Sequence, residues 1–360
     1  MINILPDKKR YMVLGLSRIY AKLAKSYYVC AKMKKNIAIV TGGDSSEYEI
    51  SLQSAETIIK NIDRHVYEPF KIVIKGDKWV LKRNNEEDIA IDKNDFSCTI
   101  DGNKLSFDCA FFAIHGTPGE DGKLQGYFDM LKIPYSTSGV LTSSLTFNKN
   151  TCINFLKQYG VVAANSVLIK RGERVDSKKI LAKTKLPCFV KPNNGGSSCG
   201  ISKVSNVDDL EDAINKALEE DNEILVEEFI AGTELTCGVL KNKNEILVLP
   251  LTEIISKTEF FDYEAKYTPG MAEEITPARV SKMTEKKCKD LSAFIYGILN
   301  CKGIARIDYI LNNETLYFLE INTIPGLTGN SLVPKQAAAI GISLKELFGM
   351  VIECGMMNAE

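Results

Sequence analysis

The sequence predicts an α/β protein whose N-terminal part contains a parallel sheet. Apolar strands alternate with helices from Lys35 onward, beginning with the strand NIAIVTGG (36–43) and the helix EISLQSAETIIKNI (49–62). This alternation indicates a parallel sheet with helices on both faces. Ligands collect at the carboxyl ends of such strands, where the polar loops TGGDSSEYE (41–49) and IHGTPGEDG (114–122) fall.

The elements after the first helix continue the pattern. Two further strands are predicted at EPFKIVI (68–74) and KWVLK (78–82), and a third at FDCAFFAIHG (107–116) ends in a loop. The segment GKLQGYFDMLKI (122–133) has helical spacing, and PYSTSG (134–139) opens the next strand or turn. Neither an internal repeat nor a low-complexity linker divides the chain, so the predicted boundaries near 137 and 226 are approximate.

Composition narrows the class of protein. The chain has 360 residues, 45% apolar and 25% charged, which is typical of a globular protein with two or three domains. The net charge is −1 with both signs evenly spread, so no basic face indicates a nucleic-acid partner. Ten cysteines without a CxxC pair and only two histidines, His65 and His115, argue against a zinc site. Unpaired cysteines suit a reducing compartment, and we expect a cytoplasmic protein.

The first 32 residues differ from the rest of the chain. The apolar stretch 10–30 is interrupted by Arg18, Lys22 and Lys25, which makes it a poor membrane span. It also lacks the uninterrupted apolar core and cleavage site of a signal peptide. An amphipathic surface helix remains open, but we expect the folded protein to begin near Met33, with residues 1–32 an extension outside the chemistry.

A glycine-rich segment, KPNNGGSSCG (191–200), indicates close approach of the backbone to an anion. A P-loop places its lysine after the glycines and a helix directly behind them. Here Lys191 comes first and a β-rich segment follows. If this segment binds phosphate, it uses another arrangement.

Three shorter patterns allow two interpretations each. Gly42 and Gly43 suit any strand-to-helix turn, Glu47 and Glu49 suit the first turn of any helix, and His115 could end a strand without a function. In ILVEEFIAGTELTCGVL (224–240), two strands flank a short polar connection that could present backbone groups to an adenine ring. On the pattern alone, an ordinary hairpin is favoured there.

The segment ARIDYILNNETLYFLEINTIPGLT (305–328) predicts two strands joined by the turn NNE. Alternation places Arg306 and Asp308 on one face of the first strand, and Glu320 and Asn322 on one face of the second. Two carboxylates and an amide suffice for two magnesium ions that also bind substrate phosphates. The alternative, a surface salt bridge, is disfavoured because burying these acids in an apolar strand is costly without a cation.

Several long motifs together resemble the D-alanine–D-alanine ligases of the ATP-grasp superfamily, from about Lys35 to the C-terminus. The motifs are TGGDSSEYEISLQSA, IHGTPGEDGKLQGYFDMLKIPYSTSG, VKPNNGGSSCGISKV, FFDYEAKY, ARIDY and LEINTIPGLTGNSLVP. The resemblance implies a Rossmann-like substrate-binding domain (33–137) followed by a two-part ATP-grasp fold, with a central subdomain (138–226) and a C-terminal subdomain that holds the metal and substrate sites (227–360).

The resemblance also implies an ATP site. Backbone amides of the glycine-rich segment would face the β- and γ-phosphates in the manner of a nest. The position of Phe229 is often tryptophan in the family. The residues that match the family's ATP-binding positions are Lys149, Lys191, Ser197, Ser198, Glu227, Phe229, Ile230, Glu234 and Lys266.

The remaining site residues follow from the same resemblance. Two Mg²⁺ or Mn²⁺ ions would bind Asp308, Glu320 and Asn322. The matching substrate-binding positions are Glu47 and His115 for the first D-alanine, Arg306 and the Gly326 amide for the developing oxyanion, and Ser331 and the Leu332 amide for the second carboxylate. Ser197 and Tyr267 would join Glu47 in a hydrogen-bonded trio that closes the lid; the lid path after Tyr267 differs in length from some relatives.

The activity implied is ATP-dependent ligation of two D-alanines through an acyl phosphate, for peptidoglycan precursors, by a cytoplasmic homodimer with no nucleic-acid or membrane partner. One alternative is a ligase that uses D-lactate or another acceptor. Relatives of that kind commonly carry histidine at the position of Tyr267, so the tyrosine favours the dipeptide. The other alternative, a non-catalytic nucleotide-binding protein, predicts gaps among the ion and phosphate ligands, and the sequence has none.

Overall fold

The computed structural model describes residues 34–83, 86–196, 199–242, 245–256 and 271–357. Within these ranges the strands assemble into three large sheets and one small hairpin. The predicted start near Met33 and the extension 1–32 lie outside the described residues. Among the helices that are described, none is long and apolar enough to cross a membrane.

The first sheet has the strand order β4-β3-β2-β1-β7, and its strands β2, β1 and β7 are parallel as predicted. β3 is antiparallel to β2 because a two-residue turn at Gly76–Asp77 reverses the chain, and β4 is antiparallel to β3. β5 and β6 form the separate hairpin. The elements are β1 (Lys35–Gly42), α1 (Tyr48–Asn61), β2 (Tyr67–Lys75), β3 (Lys78–Leu81), β4 (Ile89–Ala90), β5 (Cys98–Ile100), β6 (Asn103–Leu105), β7 (Cys109–Phe112) and α2 (Lys123–Leu131).

Two consecutive helices follow, α3 (Val140–Phe147) and α4 (Lys149–Lys157). Asn148 separates them and caps α4, since its side chain accepts a hydrogen bond from the Thr151 amide. This cap fixes Lys149 at the first position of α4.

The second sheet is antiparallel in the order β10-β9-β11-β8. Its helices cover one face; Leu210, Ala213, Ile214 and Ala217 form the buried stripe of α6 at the spacing of an amphipathic helix. The elements are β8 (Ser166–Lys170), α5 (Ser177–Thr184), β9 (Cys188–Pro192), β10 (Ser202–Val204), α6 (Leu210–Glu220) and β11 (Glu223–Glu228).

The third sheet has the order β15-β14-β12-β16-β17, with β13 paired to the far end of β12. β11 and β12 belong to different sheets, so the hairpin interpretation of 224–240 is wrong: the chain crosses from one sheet to the next between them. The elements are β12 (Thr233–Asn242), β13 (Glu245–Val248), β14 (Thr252–Ser256), β15 (Ala272–Ile275), α7 (Lys282–Ile298), β16 (Ile304–Asn312) and β17 (Thr315–Asn322).

The last two helices, α8 (Leu332–Ala338) and α9 (Leu344–Met357), return the chain to the first sheet. Leu347 and Phe348 of α9 are fully buried in one core cluster with Ile37 and Phe111 of β1 and β7. The rings of Phe111 and Phe348 meet edge to face with their centroids 5.9 Å apart. The C-terminal helix therefore closes the core of the N-terminal sheet.

Candidate active site

A cleft of about 1170 Å³ lies among the three large sheets. Loops at the carboxyl ends of β1 and β7, the segment after β9, the connection between β11 and β12, and the faces of β16 and β17 all contribute to its wall. Every predicted site residue within the described ranges lines this cleft. The predicted residues Ser197, Ser198, Lys266 and Tyr267 lie outside the described residues.

The predicted ion ligands meet across two neighbouring strands. Asp308 of β16 lies directly opposite Glu320 of β17, and Arg306 lies opposite Asn322. The ladder shifts register just after Asp308, at a β-bulge, a device that redirects side chains. The convergence that alternation predicted is therefore present.

Cations and hydroxyls surround these carboxylates. The Arg306 guanidinium donates to Asp308 through Nε at 3.0 Å and through its terminal nitrogen at 2.8 Å. The Thr236 hydroxyl donates to Asp308 Oδ1 at 2.5 Å. Lys149 Nζ lies 3.5 Å from Glu320 Oε2. Burial of the acids is thus offset by opposite charge and by hydrogen bonds.

The donor set fits a hard divalent cation. No group of three or more histidine, cysteine, aspartate or glutamate side chains suited to a metal occurs in the described part of the chain. The predicted ion ligands include only two such side chains, Asp308 and Glu320. The third ligand is the side-chain amide of Asn322, whose Oδ1 also accepts a hydrogen bond from the Ile324 amide at 3.0 Å. Mg²⁺ is commonly held by one or two carboxylates together with substrate phosphates and water.

Two lysines occupy the part of the cleft beside the glycine-rich segment. Lys149 Nζ donates to the Gly195 carbonyl at 2.6 Å. Lys191 Nζ donates to Glu227 Oε1 at 2.7 Å, and only 10% and 6% of these two side chains are exposed. The Lys191–Glu227 pair therefore links the predicted phosphate end of the cleft to its predicted adenine end.

The glycine-rich segment approaches the first sheet closely. Gly195 has a φ of +125°, a conformation that L side chains rarely adopt. A Cβ on Gly196 would stand 2.9 Å from Glu47 Oε2, so the backbone of this segment lies directly against the Glu47 carboxylate. The segment is anchored by Asn193, whose Oδ1 accepts from the Asn150 amide at 2.9 Å.

The connection between β11 and β12 supplies the apolar wall. The Phe229 ring lies 5.9 Å from that of Phe189, and Lys203 Nζ lies 5.2 Å from the Phe229 centroid. Glu227 and Ile230 line the cleft with Phe229, and Glu234 lines it from β12. An aromatic face beside backbone groups and carboxylates can hold a flat heterocycle and its sugar.

A histidine and two buried acids line the opposite end. His115 Nδ1 donates to the Ile324 carbonyl at 2.8 Å, and its Nε2 lies 3.4 Å from the Ser54 hydroxyl. Burial lowers the pKa of His115, which favours the neutral ring. Glu120 accepts from the Gly116 amide at 2.7 Å, and burial, with the charge of Glu47, raises its pKa to about 8.

The segment after β17 completes this end of the cleft. Gly326 lies against Ser331, since a Cβ on the glycine would stand 2.9 Å from Ser331 Oγ. Ser331 Oγ is also 2.8 Å from the Thr328 hydroxyl, and Leu332 begins α8. The predicted oxyanion and carboxylate positions are thus adjacent.

Sequence reasoning missed Glu120 and Thr236. Glu120 lies inside the motif GEDG, four residues after Gly116, and this spacing would let its carboxylate accept a hydrogen bond from the Gly116 amide across a tight turn. The sequence pattern does not show that Glu120 is buried. In the sequence, nothing distinguishes Thr236 from the other residues of its strand. Its role follows only from its position opposite Asp308 in the sheet.

Solved structures share this fold. The D-Ala:D-Ser ligase VanG from Enterococcus faecalis superposes with a TM-score of 0.81 at 32% identity, covering 89% of this chain and 99% of that one. A D-alanine-D-alanine ligase from Coxiella burnetii gives 0.80 at 26%, covering 91% and 95%. One from Bacillus anthracis, complexed with ATP, gives 0.73 at 29%, covering 90% and 98%. The fold and the cleft are those of an ATP-grasp enzyme.

Sequence comparison narrows the assignment within the ATP-grasp enzymes. The family model described as D-ala D-ala ligase N-terminus matches residues 36–138, and the one described as D-ala D-ala ligase C-terminus matches residues 155–353. Relatives named D-alanine--D-alanine ligase from Azobacteroides pseudotrichonymphae and Flavobacterium johnsoniae are 50% and 48% identical, each covering 89% of this chain and 99% of the relative. The chain belongs to the D-alanine–D-alanine ligase family.

Proposed function

We infer that the protein joins two D-alanine molecules into D-alanyl-D-alanine and converts ATP to ADP and phosphate. The observation that carries this inference is the 50% identity to a relative named D-alanine--D-alanine ligase over almost the full length of that relative. The cleft supports it, because carboxylates, lysines and amide donors are grouped where phosphoryl and acyl transfer require them. The dipeptide serves peptidoglycan precursor synthesis.

The reaction has two chemical steps. A carboxylate oxygen of the first D-alanine attacks the γ-phosphorus of ATP, the bond from that phosphorus to the β-phosphate oxygen breaks, and ADP leaves. The free amine of the second D-alanine then attacks the acyl carbon, and phosphate leaves from the tetrahedral intermediate. Most of the catalytic effect comes from position and from charge stabilisation.

ATP binding is assigned to the lysines and the aromatic wall. Lys149 and Lys191 would each place a point charge against the phosphates. Phe229 and Ile230 would pack against adenine, with Glu227 and Glu234 receiving the exocyclic amine and the ribose. The Lys191–Glu227 hydrogen bond of 2.7 Å orients both side chains before nucleotide enters. Ser197, Ser198 and Lys266 keep their predicted roles at the phosphates.

The two amino-acid subsites lie at the other end. Glu47 would pair with the first ammonium, beside the neutral ring of His115. Ser331 and the Leu332 amide would hold the second carboxylate. Arg306 and the Gly326 amide would stabilise the oxyanion, each worth about 3–4 kcal/mol by comparison with other oxyanion holes. Tyr267 and Ser197 would complete a trio with Glu47 that excludes water from the acyl phosphate.

Asp308, Glu320 and Asn322 would hold two Mg²⁺ or Mn²⁺ ions, which would neutralise negative charge on the phosphates during transfer. The chain's own contribution is orientation. Thr236 and Arg306 hold the Asp308 carboxylate, and the Ile324 amide fixes the Asn322 oxygen. We further propose a cytoplasmic homodimer and a division of the chain near 137 and 226; the second boundary falls within β11 (Glu223–Glu228), the last strand before the chain crosses to the third sheet.

The test is incubation with ATP, magnesium and D-alanine, with ADP, phosphate and dipeptide followed by mass. L-Alanine, D-serine and D-lactate serve as comparison acceptors. We expect D-alanyl-D-alanine as the main product, with ADP and dipeptide formed one to one. A dominant mixed product with D-lactate or D-serine would replace the proposed acceptor, and ATP turnover without any ligation would refute the activity.

A further inference from the structure

Gln336 of α8 makes three hydrogen bonds from a fully buried position. Its Oε1 accepts from the Gly238 amide at 2.9 Å. Its Nε2 donates to the Thr236 carbonyl at 3.0 Å and to the Thr252 hydroxyl at 3.1 Å. The amide thus joins α8 to β12 and β14 at once.

The Gln336 amide occupies a break in the ladder along β12. On this side β12 pairs with β14 through Glu234–Thr236 and with β13 from Val239 onward. Between these two neighbours, the Thr236 carbonyl and the Gly238 amide both turn to Gln336. The side chain substitutes for a strand, because buried backbone groups left without partners are costly.

Glycine at 238 makes this approach possible. A Cβ there would stand 2.6 Å from Gln336 Oε1 and 2.8 Å from a Leu249 methyl group. Val333 of the same helix would lie 3.4 Å away. α8 therefore rests directly on the backbone of β12, and its distance from that strand is set by Gln336.

The same stretch of β12 supports the reaction site. Thr236 lies opposite Asp308, and its hydroxyl donates to that carboxylate at 2.5 Å. α8 begins with Leu332, directly after Ser331, both of which line the cleft. One glutamine thus sets the spacing between the acceptor-binding residues and the strand pair that holds Asp308.

We propose that Gln336 is a positioning residue of the acceptor subsite, which fixes Ser331 and Leu332 relative to Asp308 through its hydrogen bonds to β12 and β14. The proposal rests on the function proposed above and assigns to that site a residue outside the cleft wall. Loss of the amide should move α8 away from β12 and weaken binding of the second D-alanine, while ATP and the first D-alanine keep their own contacts.

The primary test compares Gln336→Met with the unchanged protein. Methionine has similar volume but no amide, so the packing is retained while the three hydrogen bonds are lost. Initial rates over D-alanine and ATP concentrations give separate KM values for ATP and for the two D-alanine subsites. We expect the acceptor KM to rise about ten- to a hundredfold, since a misplacement of about 1 Å suffices for the larger loss. The KM values for ATP and the first D-alanine should stay close to those of the unchanged protein, because their contacts are retained.

Thr252 provides a matched pair that leaves Gln336 in place. Thr252→Val removes the hydroxyl that accepts from Gln336 and contacts Thr276 at 2.6 Å, whereas Thr252→Ser keeps it. The valine variant should raise the acceptor KM less than Gln336→Met does, and the serine variant should keep the original value. Thr184→Val, which removes a buried hydrogen bond to the Ile180 carbonyl within α5, away from the cleft, should lower only the Tm.

The outcomes separate the two proposals. An unchanged acceptor KM in Gln336→Met, or equal increases in all three KM values, would overturn the positioning role while leaving the ligase activity in place. If Gln336→Met does not fold, the Thr252 pair decides, and equal acceptor KM values in valine and serine variants overturn the role. Failure of the unchanged protein to form dipeptide would overturn both proposals.

Discussion

The acidic side chains of the strand pair β16–β17 are held by partners from β16 itself, from β12 and from α4. The Asp308 carboxylate accepts hydrogen bonds from Arg306 and Thr236, and Lys149 Nζ lies 3.5 Å from Glu320 Oε2. These contacts offset the cost of burying the two carboxylates, because each has a cation or hydroxyl within reach. The arrangement explains how acids can be tolerated on a strand pair with an apolar opposite face.

Glu320→Gln should abolish turnover while the fold persists. The substitution keeps the size of the side chain but removes the charge that lies opposite Asp308. We expect kcat to fall by at least about a hundredfold, in line with the loss of one electrostatic group in other enzymes. Steady-state rates across a magnesium titration, with Tm as the measure of folding, provide the test.

Glu314→Gln is the matched control, since Glu314 lies in the exposed turn between β16 and β17. It should leave kcat unchanged. A near-normal rate for Glu320→Gln at saturating magnesium would contradict the assignment of Glu320 to the ions.

Glu120 should make stability depend on pH. Burial raises its pKa from an ordinary value near 4.5 to about 8. The protonated carboxyl therefore stabilises the fold fully below about pH 4.5, and this contribution disappears as the pH rises through 8. Glu120→Gln stays neutral, so its Tm relative to the unchanged protein should increase between pH 5 and 9. At about 1.4 kcal/mol per pKa unit, the full effect is on the order of a few kcal/mol. A Tm difference that is constant across this range would exclude the buried acid as the cause.

The start of β16, in the third sheet, makes a tight backbone contact with the segment that follows the first sheet. Gly303, just before β16, has a φ of +64°, and a Cβ there would stand 2.0 Å from the Ser136 carbonyl oxygen. This contact joins the start of β16 to the segment that leaves the first sheet. The position of Arg306 and Asp308 in the cleft depends on it, because both follow within the same strand.

Gly303→Ala should therefore destabilise the protein by about 2 kcal/mol or more, as expected for strain at a left-handed backbone position with a steric clash. Gly297→Ala is the matched control: Gly297 is exposed near the end of α7, and a Cβ there meets nothing within 4 Å. That change should stabilise by up to about 1 kcal/mol. Urea unfolding of both variants provides the measurement, and equal effects would contradict the role of the Gly303 contact.

The N-terminal and C-terminal ends of the chain contribute differently to the hydrophobic core of the first sheet. The described core starts within β1, and the N-terminal family model matches from residue 36. At the other end, α9 buries Leu347, Phe348, Val351 and Ile352 in the core of the first sheet. Each such side chain contributes about 1.5–3 kcal/mol, so the helix contributes an amount comparable to the stability of a whole domain.

A chain that begins at Met33 should keep its activity and its Tm, since residues 1–32 match no part of the catalytic pattern. A chain that ends before Leu344 should fail to fold or lose most of its stability, because Ile37 and Phe111 would face water. Circular dichroism melting and ligase assays on both truncations provide the test. Loss of activity in the N-terminal truncation would mean that the extension belongs to the folded enzyme.

Periodicity along the chain was enough to predict the parallel strands β1, β2 and β7, the helices α1 and α2, and the shared face of Arg306, Asp308, Glu320 and Asn322. These features are local, because alternation assigns a side chain to a face of a strand without knowledge of the neighbouring strand. Family resemblance added the roles of the side chains, which spacing alone left open between functional and ordinary interpretations.

Tertiary structure decided which surfaces meet. The chain passes between sheets after β11 instead of forming a hairpin, α9 covers the first sheet, and α3 and α4 pack near β17 of the third. The burial of Glu120 and the contact of Gln336 with β12 arise in the same way. Each depends on pairing between segments distant in sequence, and the free energy of that pairing comes from the apolar area and hydrogen bonds of both partners together, which neither segment encodes by itself.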